Sequence, residues 1–407
     1  VSLANNIEFL RRLPKLNELK GLTGLPQGFG RGAESSRLTE TVGFGSNPGD
    51  LKMFSYLPGD QRIRQRLPLV VVLHGCTQNA AGYDMGAGWS TLAARYGFAL
   101  LMPEQKTSNN GNGCFNWFNP EDIARGSGEA FSIRQMIARM ARDHSIDRTR
   151  IFVTGLSAGG AMTTVMLATY PEVFAGGAVI AGLPYGIASN VQQALSGMYQ
   201  SPPRPARELG DLVRNASPHK GPWPKLSVWH GSADKTVNPS NADEIVKQWL
   251  DVHGLPQAPM SQSTVDGHPR ALWWNADGET LVESYTITDM AHGTPLGIAD
   301  NDERYGARGA FMIEAGISSS YHIASFFGLA DRVQQPGEAA KPVAAAATTI
   351  TVTPPALAPP STPELNAIPW PIAVSPSYAK SHRPPRRPPI DVGAVITRAL
   401  TAAGLMK

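Results

Sequence analysis

Two rhythms of apolar residues alternate along this chain. Short continuous runs fall at 67–73, 98–102, 150–154, 177–181 and 226–230, with less uniform ones at 52–57 and 280–288. Runs of this length, rich in Val, Ile and Leu, predict buried strands. Between them, apolar residues recur every three or four positions at 89–97, 129–144, 161–170, 240–253 and 310–327. That is the spacing of helices that bury one face. At 129–144 the stripe is Ile133, Met136, Ile137 and Met140. Strands that alternate with helices, each strand apolar throughout, predict an α/β fold with a mostly parallel sheet and helices on both faces. Function in such a sheet belongs at the C-terminal ends of the strands.

Other segments break the rhythm. Residues 1–22 have apolar positions near helical spacing, interrupted by Pro14, and 23–48 read as a loose connector. The Gly/Asn-rich stretch 105–120 is a loop, ending the strand that Pro103 closes, and 254–278 is polar and turn-rich. Residues 186–224, dense in Pro, Gly, Ser and Gln, read either as an insertion over the site or as a surface excursion. Beyond Asp331 the chain turns to Pro and Ala, a composition that cannot bury enough surface to offset its ordering entropy. The expected organisation is therefore an N-terminal helical segment and connector (1–48), a catalytic domain (49–331), a disordered Pro/Ala-rich linker (332–389) and a short amphipathic helix (390–407). Arg383-Pro-Pro-Arg-Arg-Pro-Pro389 within the linker reads as a solvated tether.

Composition narrows the function classes. The 407 residues are 42% hydrophobic and 17% charged, enough for a large core. A net charge of +3 gives no reason to expect a nucleic-acid partner. No apolar run approaches the roughly 20 residues of a membrane span. Residues 1–22 scatter Arg11, Arg12, Lys15 and Lys20 without an apolar block. They are read as no signal peptide, which favours a cytoplasmic over a secreted location. Cys76 and Cys114 allow one bridge or two thiols.

The chemistry centres on Gly155-Leu-Ser157-Ala-Gly159, placed between a strand and a helix. Gly-x-Ser-x-Gly in that context is a nucleophile elbow, a sharp turn that exposes the serine hydroxyl above a helix N-terminus. A serine needs a base and an acid that orients it, and in this topology both follow later strands. Asp234 lies just past the strand at 226–230, and His292 just past that at 280–288. Competing acids are Asp211 and Asp289, and competing bases are His230 and His268. His230 is read as packing or hydrogen bonding at its strand end. The oxyanion needs two N–H donors. Ala158 follows the nucleophile, and the His74-Gly-Cys76-Thr77 turn offers Cys76, with Thr77 second. His74 itself is read as structural.

His74-Gly-Cys-Thr-Gln78, Pro103-Glu-Gln105, Cys114 with Asn116-Trp117, Gly155 to Gly160, His230-Gly-Ser-Ala-Asp234 and Ala291-His-Gly293 together resemble the poly(3-hydroxybutyrate) depolymerase family of serine esterases. That family is close to feruloyl and acetylxylan esterases. The resemblance spans about residues 50–328 and implies an α/β-hydrolase fold. It implies a triad of Ser157, Asp234 and His292, and an oxyanion hole from Cys76 and Ala158. It also implies that Trp117 lines the acyl or polymer subsite; read from its loop alone, Trp117 could equally be a buried anchor. Family members often follow the catalytic His with an aromatic residue and Pro-Gly, where this chain has Gly293-Thr-Pro-Leu. A Cys76–Cys114 bridge would fix the oxyanion loop; two thiols are the alternative in a reducing compartment.

The expected activity is hydrolysis of a 3-hydroxybutyrate polyester or its oligomers through an acyl-enzyme, with no metal or organic cofactor. Feruloyl, acetyl and small aliphatic esters are alternative substrates. A polymer-granule surface is the expected partner. A granule- or surface-binding protein on a hydrolase scaffold is the reading from another class.

Overall fold

The computed structural model describes residues 36–59, 66–200 and 203–330. The expectations for 1–35, for the Pro/Ala-rich linker and for the terminal helix lie outside the described residues.

The strands are β1 (Thr39–Thr41), β2 (Lys52–Tyr56), β3 (Leu67–Leu73), β4 (Ala99–Glu104), β5 (Ile146–Leu156), β6 (Gly176–Ile180), β7 (Lys225–Gly231), β8 (Ser261–Val265), β9 (His268–Trp274) and β10 (Thr280–Ile287). They form one 10-stranded sheet in the order β1-β2-β4-β3-β5-β6-β7-β10-β9-β8. The run from β4 through β3, β5, β6 and β7 to β10 is parallel. Antiparallel pairs extend it on both sides, β2 and β1 beyond β4, β9 and β8 beyond β10. This is the α/β-hydrolase arrangement, and its mostly parallel character is that of the central strands.

The helices are α1 (Ala80–Ala87), α2 (Trp89–Tyr96), α3 (Pro120–Ile123), α4 (Gly128–Asp143), α5 (Ala158–Thr169), α6 (Val191–Tyr199), α7 (Ala206–Asn215), α8 (Ser240–His253) and α9 (Ser319–Phe326). Successive β3 side chains divide between two cores. Leu69, Val71 and Leu73 join the α4 stripe, Met162 and Val165 of α5, and Ile245 and Trp249 of α8. Val70 and Val72 pack with Tyr83 of α1, Leu92 of α2 and Ile323 of α9. A strand buried on both faces has no polar side to display, which explains its unbroken apolar run.

Several expectations are corrected. The helix placed at 89–97 is preceded by α1, whose start Asn79 caps by accepting from Gly82 N; low helical periodicity hid it. β4 runs through Pro103, which a strand tolerates where its missing N–H costs no ladder bond. Residues 254–278 are a hairpin, β8 and β9, turned by Asp266 and Gly267, both at positive φ. A further strand pair, absent from the apolar runs, follows β10: β11 (Thr294–Leu296) pairs with β12 (Met312–Glu314) in a small parallel sheet. β12 occupies the front of the region read as the final helix, which begins only at Ser319. The connector gains β1. Residues 186–224 fold into α6 and α7, held on α8 where Gln248 Nε2 donates to Tyr185 O and Leu209 O (both 3.0 Å). No helix among the described residues is long and apolar enough to cross a membrane.

Candidate active site

β5 delivers Ser157 at its C-terminal end, and α5 begins at the next residue. Ser157 has φ 58° and ψ −118°, a strained combination for a residue with a Cβ, costing on the order of 1–3 kcal/mol. Its N–H donates to Ile180 O (2.9 Å) and its C=O accepts from Ala161 N (2.8 Å), so both neighbours hold the strained turn in place. The turn closes only with glycines. A Cβ on Gly159 would sit 2.2 Å from Leu73 O, and one on Gly155 2.4 Å from Gly159 O. Gly159→Ala is therefore expected to destabilise the fold by about 3 kcal/mol or more, read as a lowered urea midpoint.

Asp234 follows β7, and His292 follows β10. The two loops meet because Gly231 lets them: a Cβ there would lie 2.2 Å from Met290 O. His292 Nδ1 stands 2.7 Å from Asp234 Oδ2. Asp234 Oδ1 accepts from the N–H groups of Thr236 (2.8 Å) and Val237 (2.9 Å). Burial pushes the Asp234 carboxyl up, but hydrogen bonds from His230 and His292 outweigh it and hold it well below the ordinary carboxylate range. The carboxylate thus stays charged to orient His292. Ser157 and His292 are 8% and 7% exposed. Their side chains are not hydrogen-bonded to one another in this structure; such contacts often tighten only with substrate bound.

The turn after β3 carries Cys76 and Thr77, the donors expected beside Ala158. Thr77 donates its N–H to Asn112 O (2.7 Å), which removes it as an oxyanion candidate. No acceptor takes the Cys76 N–H, and Ala158, as first residue of α5, has no intrahelical acceptor. Gln78 holds the turn by accepting Gly75 N–H at Oε1 (2.9 Å). Cys76 and Cys114 are joined as a disulfide, tying this turn to the 105–120 loop. His74 is structural: its Nε2 accepts from Gln105 N (3.1 Å), so Nδ1 carries the proton and donates to Gly75 O (2.8 Å).

Trp117 is only 7% exposed and packs edge-on against Phe118 in the core. Its neighbour Asn116 is held by Glu129, which sequence reasoning missed because a charged residue early in a helix reads as a solvated one. Its carboxyl accepts from Asn116 N (2.8 Å), Asn116 Nδ2 (2.8 Å) and Gln105 Nε2 (2.5 Å). Burial, then the charge of Asp122, pushes Glu129 up to about 8. The folded state therefore holds this proton more tightly than the unfolded chain does. Stability from it is complete below the ordinary glutamate range and is lost as pH rises through about 8. Glu129→Gln should lose less stability than the parent protein between pH 5 and pH 9, measured by urea unfolding.

The competing candidates are occupied elsewhere. Asp211 pairs with Arg214 on α7 (2.8 Å). Asp289 is exposed, its N–H given to Ser232 Oγ (2.8 Å). His268 bridges Ala315 O and Thr288 N. One group among the described residues gathers metal-ligand types, Asp266, Asp300 and His322, and it shares no residue with this site.

A family model for esterase PHB depolymerases matches residues 51–268. Poly(3-hydroxyalkanoate) depolymerase C of Paucimonas lemoignei is 48% identical over 293 residues, 72% of this chain and 70% of the relative. An acetylxylan esterase of Coprinopsis cinerea is 34% identical, covering 64% of this chain and 70% of that one. Among solved structures, an acetyl xylan esterase from Aspergillus awamori superposes with a TM-score of 0.60 at 24% identity, covering 72% of this chain and 99% of the other; this bears on the fold alone.

Proposed function

Because this chain belongs to the PHB depolymerase family of serine esterases, we propose that it cleaves 3-hydroxybutyrate polyester or its oligomers, with Ser157, Asp234 and His292 as the catalytic triad. The observation that carries the substrate is the 48% identity to a poly(3-hydroxyalkanoate) depolymerase, well above that to the acetylxylan esterase. The observation that supports the triad is the strained Ser157 at the C-terminal end of β5, with the buried Asp234–His292 pair just past the C-terminal ends of β7 and β10 in the same parallel run.

His292 takes the proton of Ser157 Oγ as it attacks the ester carbonyl. The Cys76 and Ala158 N–H groups receive the developing oxyanion. His292 then protonates the leaving hydroxyl of the next monomer, and a 3-hydroxyacyl ester remains on Ser157. Water, deprotonated by the same imidazole, releases the acid.

A panel of 3-hydroxybutyrate oligomers, amorphous polymer granules, a feruloyl ester, an acetylated xylan and short p-nitrophenyl esters tests this reading. Release of 3-hydroxybutyrate from oligomers or granules by the parent protein and not by Ser157→Ala is the expected result. Turnover of acetyl or feruloyl esters alone would discard the polyester. Binding to granules without turnover of any ester would favour a surface-binding scaffold.

A further inference from the structure

We propose that His230 is a positioning residue for the reaction, a second side-chain hydrogen-bond donor to the carboxylate that orients His292. The inference rests on the proposed roles of Asp234 and His292. His230 closes β7, four residues before Asp234, and is 3% exposed. Its Nε2 lies 2.9 Å from Val237 O and 3.2 Å from Asp234 Oδ2. Val237 O can only accept, so Nε2 carries the proton and shares it between the two oxygens. Nδ1 is left buried with no partner. Leucine could fill the same space without leaving a polar atom unpaired. The imidazole is therefore placed for what Nε2 donates.

Its donation completes the set around Asp234. Oδ1 is held by two backbone N–H groups, and Oδ2 by His292 on one side and His230 on the other. With both oxygens held, the carboxylate cannot rotate, and the plane of the His292 ring follows from it. Donation from His230 also withdraws charge from the oxygen that His292 contacts. Without it, that oxygen would attract a positive charge on the facing ring more strongly, and the acid limb of the rate profile would lie at higher pH. The charged or titratable groups facing this cluster are Asp234 and His292 themselves and, from α8, Asp243, which in turn faces Glu244 and Lys247.

The test is the pH profile of kcat/KM on p-nitrophenyl butyrate for the full chain and its His230→Leu and His230→Gln variants. His230→Leu is expected to lower kcat/KM about tenfold and to move the acid limb upward by about half a pH unit. Glutamine carries an amide N–H near the position of Nε2, and His230→Gln should restore both the rate and the limb. If His230→Leu does not fold, His230→Asn, polar but too short to reach Asp234, carries the same expectation. A folded, slow variant with an unmoved acid limb, or a glutamine variant no better than the leucine or asparagine one, would overturn the proposal. Full turnover by Ser157→Ala would instead overturn the triad, whereas a Ser157-dependent activity indifferent to residue 230 overturns this inference alone.

Discussion

Ser157→Ala is expected to abolish ester hydrolysis, by on the order of a million-fold in kcat, while leaving the urea midpoint nearly unchanged. The hydroxyl is the one group in the site that can form the acyl bond, and no residue beside it could substitute. Its backbone supplies a companion prediction. Ser157 is held at φ 58° and ψ −118° by hydrogen bonds to Ile180 O and from Ala161 N, a conformation that Gly adopts without a Cβ penalty. Ser157→Gly should be equally inactive yet more stable than the parent, by about 1 kcal/mol. An inactive but stabilised variant would locate the strain at the reacting residue. Equal stability of the Gly and Ala variants would contradict it.

The second large effect concerns Asp234. Asp234→Asn changes no shape, but both oxygens face only donors: Thr236 and Val237 N–H at Oδ1, His292 and His230 at Oδ2. An amide NH2 turned toward Oδ1 would oppose two backbone N–H groups and loosen the loop. Turned toward Oδ2, it would donate to His292 Nδ1 and force the imidazole proton onto Nε2. In that tautomer His292 cannot take the serine proton. The expected loss is about ten-thousand-fold in kcat, measurable on p-nitrophenyl butyrate. The loss should shrink at high pH, where the small fraction of ionised serine needs no base. A decrease of tenfold or less would mean that another carboxylate orients the base.

The strained turn at Ser157 and the meeting of Asp234 with His292 were legible in the sequence because each is fixed by local pattern and chain order. Gly155 and Gly159 mark a turn no other residue could make, and Asp234 and His292 each follow an apolar run that ends at the same edge of the sheet. The parallel core was legible for the same reason: strands buried on both faces are apolar at every position. What escaped was structure whose pattern is mixed. β8 and β9 lie on the sheet's edge, half in water, so Ser261–Val265 reads as polar loop. β12 is three residues long and pairs with a strand distant in sequence, a contact that no local periodicity announces. Glu129, Asn112 and Gln78 hold the site loops through hydrogen bonds, and nothing in their neighbours distinguishes them from surface residues. Trp117 shows the limit of residue type: an aromatic in a site loop suits a subsite or an anchor, and only the structure shows that this one is largely buried.

The most direct measurement of the central claim is the mass of the intact protein and of its Ser157 peptide after millisecond quenching with a 3-hydroxybutyrate oligomer. A transient 3-hydroxyacyl adduct on Ser157 is expected. Oligomer cleavage with no adduct on Ser157, or an adduct on a different residue, would contradict it.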